Sequence, residues 1–367
     1  MIPAVILALT AAMLQYRGRY IEGGMGIQIV RHWCRHLGDP RIFAAARHGW
    51  YYAFENCLGR ALAFVGVHNE LAVLKPLQLS MWVLQAVFCY GIALVVSKRR
   101  STAILATALY GFGLTLTDYC DMFSYLAGSF GRTAGLTGTL FAIWWWVRGC
   151  RTRATLVALA AMYLHADPPV AILIFFILMG GWSPRRWAII AVGVSPMAWY
   201  EFFGEGRFPP GAVHLAIQSS GPAILFYAKA ITLRALCALF LVALAYRTTW
   251  KGLPITAWFK AVAFLVPIGV LVRILPHPMP FLIQISAGWV WLWPLEFFGR
   301  IVLADAAIQC MPMAVALGAL CLWNVRMEPL GDDSRPLVLN KELIVGVIAP
   351  NCGYAALEEL KWKDGFK

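Results

Sequence analysis

Seven polar side chains within the first 207 residues are candidates for binding phosphate and moving a proton. Arginine binds a phosphate through two parallel hydrogen bonds, and a carboxylate accepts the proton of an attacking hydroxyl. Brought together, such groups would transfer a unit from a phosphate-bearing donor to a hydroxyl acceptor. The candidates are Asp39, Asp118, Asp121, Arg132, His165, Asp167 and Arg207.

Several of these candidates also have a purely structural interpretation. Asp39, in LGDPRIF, precedes a proline and suits a turn or a helix cap. Asp118 and Asp121 are three residues apart, which suits one face of a site or a solvated turn. Arg132 follows Gly131 at the start of an apolar segment, where it would hold phosphate or anchor the helix at an interface. The spacing alone leaves these alternatives open.

The sequence gives little support for a cofactor. His32 and His36 are one helical turn apart, but no acidic residue accompanies them in the sequence. The nine cysteines contain no CxxC pair. We therefore predict no bound cofactor. A divalent metal is compatible with the carboxylates, but nothing in the sequence indicates one.

The composition predicts that membrane-spanning helices position the candidate residues. Hydrophobic residues make up 60% of the 367, charged residues 13%, and the mean hydropathy is +0.68. Soluble domains carry about 25% charged residues. The net charge of +13 is spread over short turns, which indicates contact with anionic lipid head groups and argues against nucleic-acid binding.

Apolar segments divide residues 1–323 into about ten passes, which predicts an all-α polytopic transmembrane bundle. The loop 16–71 contains LGDPRIFAAARHGWYYAFENCLGRAL, which suits amphipathic helices on the outer membrane surface. The polar tail 324–367 is too short for its own core; its VLNKELIVGVIAP resembles a strand, as in a truncated soluble domain. The passes are predicted near 1–15, 72–96, 102–117, 133–147, 187–203, 222–246, 257–275, 281–298 and 301–323, together with a broken pair at 154–181.

Residues 154–181 predict two short helices instead of one long helix. Two apolar runs of about twelve residues flank HADPP at 165–169, and neither alone can cross a hydrocarbon layer of about 30 Å. A single straight helix would place an imidazole, a carboxylate and two prolines near its middle. We expect a re-entrant pair of half-helices whose apex, HADPP, either lines a polar cavity or simply caps the backbone.

The basic residues of the short turns predict which side faces the cytoplasm. Eleven lie at one set of alternating turns, and three (Arg132, Arg207 and Arg273) lie at the other. The richer set would be cytoplasmic. This orientation puts the N-terminus inside and brings loop 16–71, the tail and the seven candidates to the outer face. The eleven are Lys98, Arg99, Arg100, Arg148, Arg151, Arg153, Arg185, Arg186, Arg247, Lys251 and Arg300.

Four stretches of this layout resemble the GT-C superfamily of polytopic glycosyltransferases, in particular uncharacterised bacterial members. They are LGDPRIFAAARHGWYYAF, TDYCDMFSYLAGSFGRTAGLTGTLFAIWWW, the break YLHADPP, where relatives carry His-Pro, and HPMPFLIQISAGWVWLW. The resemblance covers the layout of residues 1–323. It implies a bacterial inner-membrane enzyme that takes a sugar from a polyprenyl-phosphate donor at the outer leaflet, with the acid of the first outer loop, Asp39, as catalytic base or metal-binding group.

The other candidates would then contact the substrate in the same outer cavity. Arg132 and Arg207 would hold the donor phosphate. His165 and Asp167, at the apex of the broken pair, would form the pocket floor, and Asp118 and Asp121 would line the site.

Two other classes of protein are compatible with the sequence. A secondary transporter also uses discontinuous helices whose ends meet a substrate near the membrane midplane, but the sequence contains one broken segment and no internal repeat. A non-catalytic membrane scaffold would share the fold without a working site. Mutation of Asp39 separates an enzyme from a scaffold, and substrate flux into sealed vesicles identifies a transporter.

Overall fold

The computed structural model describes residues 25–36, 53–112, 130–165, 167–179, 183–203 and 293–327. All regular structure in these ranges is α-helical, as predicted. The helices, numbered here in chain order, are α1 (Met25–Arg35), α2 (Ala53–Phe64), α3 (Glu70–Ser97), α4 (Arg100–Phe112), α5 (Phe130–Val147), α6 (Arg151–Leu164), α7 (Asp167–Met179), α8 (Pro184–Phe203), α9 (Trp293–Ile308) and α10 (Met311–Met327). The predicted passes 1–15, 222–246 and 257–275 and the predicted tail strand lie outside the described residues.

α3 is the described helix that fits a membrane crossing. Its 28 residues extend over about 42 Å, and among the described helices it alone is both long and apolar enough to span a bilayer. Pro76 lies in its second turn, where Ser80 Oγ donates to the Pro76 carbonyl at 2.8 Å. Lys98 ends the helix in a left-handed conformation and donates its N–H to the Leu94 carbonyl. The described part of the chain thus contains one clear span candidate.

Helices α3 to α10 all contribute to one apolar core. α5 packs along α3 and α6, and α4 packs on both α3 and α9. Trp146 of α5 stacks on Phe176 of α7 with ring centroids 4.1 Å apart. The buried Asp305 joins α9 to α4, because Thr102 Oγ1 donates to its carboxylate at 2.8 Å and Arg99 lies 3.6 Å from the same oxygen. These polar contacts therefore fix the position of α9 relative to α4.

α1 and α2 form a small layer that packs on the rest of the bundle. They contact each other and also reach α3, α5 and α6. Ile27 and Val30 of α1 are fully buried in a second core with Leu74 and Phe130. The sequence predicts amphipathic helices in loop 16–71, and two helices are present. The apolar face of α1 is buried against other helices of the protein, and the place of these helices on a membrane surface stays a prediction.

The chain breaks at HADPP, as the sequence predicts. α6 ends at Leu164, His165 is extended, and α7 begins at Asp167. Pro168 and Pro169 lie in the first turn of α7, where a proline removes no hydrogen bond because those N–H groups have no partner within the helix. Since α6 and α7 pack on each other, the prolines start the second helix of a hairpin.

α9 and α10 differ from the predicted passes. The sequence predicts a turn at residues 299–300 and uses Arg300 as a cytoplasmic marker, but α9 continues through both residues and the chain turns at 309–310. Arg300 is 9% exposed, and its guanidinium lies 5.8 Å from the centroid of the Tyr110 ring. The prediction failed because an aromatic ring and the neighbouring helices shelter a charge that was expected to end a helix. The basic residues then count ten against three.

Candidate functional site

α5 presents a face of three glycines, Gly131, Gly135 and Gly138, that other segments approach closely. Their spacing of four and three residues places them on one side of the helix. A Cβ at Gly131 would lie 2.6 Å from Glu55 Oε1, and one at Gly135 would lie 2.7 Å from the Cβ of His165. We call this side the glycine face of α5. Because glycine has no side chain, the Glu55 carboxylate and His165 can approach the backbone of α5 closely on this face.

Glu55 is a buried carboxylate that links three helices. It lies in the first turn of α2 and is fully buried. Gly131, the second residue of α5, donates its N–H to Glu55 Oε1 at 2.9 Å. That N–H has no partner within α5, and the positive end of the helix dipole favours a negative charge there. Gly26 of α1 also lies against Glu55, since a Cβ on it would be 2.7 Å from the same oxygen.

His165 occupies the break between α6 and α7 and is 1% exposed. Its N–H donates to the Ala161 carbonyl at 3.0 Å, which closes the last turn of α6. It contacts the glycine face at Gly135, one turn from the place where Glu55 contacts Gly131. Four residues correspond to about 6 Å along a helix. The Glu55 carboxylate and the backbone and Cβ of His165 thus contact adjacent turns of α5 near its start.

A second buried carboxylate, Glu70, lies at the start of α3 between two arginines of α1. Arg31 Nε lies 2.9 Å from Glu70 Oε1, and Arg35 Nε lies 2.6 Å from Oε2. Arg35 also donates to the His68 carbonyl at 2.7 Å and to the Asn69 side chain at 2.9 Å. The guanidinium groups of Arg31 and Arg35 therefore attach α1 to the start of α3, which is a structural role.

A second group of buried polar side chains is centred on Gln85 of α3 and contacts α5 and α4. Gln85 Nε2 donates to the Thr133 carbonyl at 3.2 Å and to Thr137 Oγ1 at 3.0 Å. Tyr110 donates its hydroxyl proton to Gln85 Oε1 at 3.3 Å. The Tyr110 ring is the one beneath Arg300. Hydrogen-bonded polar groups therefore run from α5 through Gln85 of α3 to Tyr110 of α4, whose ring contacts Arg300 of α9.

Of the seven candidates, only His165 has a described side chain, and it is buried at the glycine face. Arg132 is the third residue of α5 and Asp167 the first of α7, but their side chains lie outside the described part. The other four candidates lie wholly outside it. They are Asp39, Asp118, Asp121 and Arg207.

The sequence analysis missed Glu55 and Glu70. Each is an acid in the first turn of a mostly apolar helix, and that pattern was the available signal. Neither could be ranked above the other acids, because their partners lie far away in the chain. Gly131 is 76 residues from Glu55, and Arg31 is 39 residues from Glu70.

The histidine pair of α1 behaves as a local feature. The rings of His32 and His36 meet edge-on with centroids 6.4 Å apart. Burial and, second, the neighbouring His36 lower the pKa of His32. Within the described residues, no group of three or more His, Cys, Asp and Glu side chains is arranged to hold a metal ion.

Comparison of the chain with protein-family models, with curated proteins and with solved structures finds no match.

Proposed function

We propose that the protein is a multi-pass integral membrane glycosyltransferase of the GT-C type, which transfers a sugar from a polyprenyl-phosphate donor at the outer leaflet of a bacterial inner membrane. Support comes from the apolar composition, the span candidate α3 and the helix break at HADPP. The resemblance of the layout to GT-C enzymes supplies the reaction.

One observation carries this proposal: Glu55 and His165 are buried on the same face of α5, next to the start of that helix. Arg132 follows directly on the Gly131 that Glu55 contacts. A substrate phosphate held by Arg132 would therefore lie at an end of the bundle already lined by an acid and an imidazole. In this proposal Glu55 is a positioning residue, since its carboxylate is engaged with the α5 backbone.

Asp39 is the proposed base, and Arg132 and Arg207 the proposed phosphate ligands. His165 and Asp167 shape the pocket floor, and the Asp118–Asp121 pair lines its entrance. A general base contributes about 10² to 10⁴ in rate. Asp39→Asn should therefore lower transfer by that factor while insertion in the membrane stays unchanged.

The test uses membrane vesicles that carry the full chain and radiolabelled polyprenyl-phosphate sugars, both hexose and pentose. Transfer of label out of the donor is measured for the wild type, Asp39→Asn and Asp305→Asn. Asp305→Asn is the matched control, because it makes the same change at the far end of α9 and its amide oxygen can still accept from Thr102. Full transfer by Asp39→Asn rejects Asp39 as the base, and absence of transfer by the wild type rejects the enzyme.

The helix break also favours a second candidate function, secondary transport. Discontinuous helices bind substrates near the membrane midplane in many transporters, and His165 is buried at such a break. Solute uptake by sealed proteoliposomes, in the absence of any lipid-linked sugar, distinguishes the two. Uptake that depends on His165 supports a transporter, and donor-dependent label transfer supports the enzyme.

A further inference from the structure

The C-terminal end of α5 carries a concentration of arginine and tryptophan. The sequence WWWVRGCRTR runs from Trp144 across the turn into the first residues of α6, and Arg185 and Arg186 lie in the first turn of α8. Trp146 is 15 residues from Gly131, about 22 Å along the helix. This end therefore lies opposite the glycine face that Glu55 and His165 contact.

Two of these arginines each lie on a tryptophan of their own. The Arg148 guanidinium is 4.5 Å from the centroid of Trp144, and that of Arg153 is 5.0 Å from Trp145. Both arginines are exposed. Such pairs suit residues at the edge of a membrane, where a ring lies in the interface and the charge faces water.

Trp146 differs because two guanidinium groups approach one ring. Arg151 lies 5.6 Å and Arg186 5.8 Å from its centroid. Phe176 stacks in parallel on Trp146 at 4.1 Å and covers one face of the ring. Both guanidinium groups therefore lie near a ring that Phe176 already covers on one face. They come from different helices, and both lie in first turns, where backbone N–H groups and the helix dipole favour an anion.

The burial of this pair is unequal. Arg186 is 4% exposed, whereas Arg151 is exposed. Burial and, second, the charge of Arg151 lower the pKa of Arg186. A negative group beside both guanidinium groups would reduce the repulsion between their charges.

We propose that Arg151 and Arg186 bind the phosphate of an anionic phospholipid head group beside Trp146. The proposal rests on the membrane location stated above and does not depend on sugar transfer. A phosphate diester fits the pair, since each guanidinium donates up to two parallel hydrogen bonds to it. Basic pockets between helices at the cytoplasmic side of membrane proteins recognise such head groups, which agrees with the orientation that the basic turns predict.

The experiment uses the purified full chain in a neutral detergent and measures its thermal unfolding. Phosphatidylglycerol, phosphatidylcholine or inorganic phosphate is titrated into the wild type, Arg151→Gln, Arg186→Lys and Arg185→Gln. Arg185→Gln is the matched control, because Arg185 is exposed and adjacent to Arg186. Phosphatidylglycerol should raise the melting temperature of the wild type, and phosphatidylcholine should do so much less.

Arg151→Gln should weaken the response to phosphatidylglycerol by about tenfold or more in concentration, as expected for loss of one charge-assisted hydrogen bond. Arg186→Lys should also weaken it, because lysine keeps the charge but loses the planar fork. Arg185→Gln should respond as the wild type does. Since Arg151 is exposed, Arg151→Gln tests the site even if the changes at Arg186 prevent folding.

Three results would overturn the proposal. An equal response of Arg151→Gln and Arg185→Gln would show only diffuse attraction between a basic surface and an anionic lipid. A full response to inorganic phosphate would assign the pair to a soluble anion. A wild type that does not discriminate phosphatidylglycerol from phosphatidylcholine would show no head-group site. Extraction of membranes with carbonate, run in parallel, tests the membrane location separately.

Discussion

Glu55 and His165 are 110 positions apart in the sequence and contact the same face of α5 at glycines one helical turn apart. The first contact caps the start of α5, and the second holds the break between α6 and α7 against it. The two glycines make both contacts possible, because no side chain on α5 lies between its backbone and either residue.

Gly135→Ala should destabilise the protein by about 1 to 3 kcal/mol, as overpacking usually does. The new Cβ would lie 2.7 Å from the His165 Cβ and 2.9 Å from its carbonyl oxygen, and a backbone atom cannot move away as a flexible side chain can. Thermal unfolding in detergent measures the effect. Gly318→Ala in α10 is the control: nothing lies within 4 Å of its Cβ, so we expect a gain of about 0.5 to 1 kcal/mol. Equal effects of the two substitutions would contradict the close contact.

The ion pairs of Glu70 should respond asymmetrically to mutation. Glu70 is fully buried, whereas Arg31 and Arg35 are 20% and 33% exposed. Changing both arginines to glutamine leaves a buried carboxylate without its cations and should cost about 3 to 5 kcal/mol. Glu70→Gln should cost less, because both guanidinium groups can turn to water. Denaturant titration measures the difference, with Arg100→Gln at an exposed position as control. A larger loss for Glu70→Gln would be inconsistent with the observed burial.

Stability should fall on the acidic side in part through His32. Its pKa in the folded protein is lowered from 6.5 by burial and by His36. Above pH 6.5 His32 is neutral in both the folded and the unfolded state, so its titration does not lower the free energy of unfolding there. As the pH falls below 6.5, the unfolded chain takes up a proton before the folded protein does, and stability is lost. Unfolding midpoints from neutral to mildly acid pH should decline less in His32→Gln than in the wild type. Parallel curves would exclude His32 as a contributor.

The predicted orientation can be tested by labelling single cysteines in intact cells. Two variants are compared, one with Asp332→Cys as its single cysteine and one that keeps only Cys150. An impermeant maleimide should modify the first in intact cells and should modify Cys150 only after the membrane is opened. Cys150 lies in the turn between α5 and α6, beside Arg148 and Arg151. The expectation follows from the basic residues that remain after Arg300 is removed from the count. Labelling of Cys150 alone in intact cells would reverse the orientation.

The helix break could be predicted because its causes are local. In a continuous helix, two adjacent prolines after His165 would remove helix hydrogen bonds and clash with the preceding turn, whatever surrounds them. The all-α class and the extent of α3 also follow from uninterrupted apolar sequence. Arg300 shows the limit of the same reasoning. Whether a charge ends a helix or is covered depends on what packs against it, here the ring of Tyr110 from another helix.

The candidate site could be predicted only in part, because a site depends on contacts between distant residues. His165 was found from the cost of placing polar groups at mid-helix. Glu55 was not, since its sequence resembles that of any acid in the first turn of a helix. What distinguishes it is its burial against Gly26 and Gly131, two glycines that ordinary sequence patterns do not connect.

The hydrogen bonds of Gln85 have a consequence for biosynthesis. If α3 enters the membrane as it is made, its buried amide has no access to Tyr110 until 25 more residues are added, or to Thr137 until 52 more are added. At about 5 to 20 residues per second, the second interval lasts on the order of 3 to 10 seconds. During that time the amide would face lipid or the walls of the insertion machinery. On that condition, the hydrogen-bond partners of Gln85 are complete only after α5 has been synthesised.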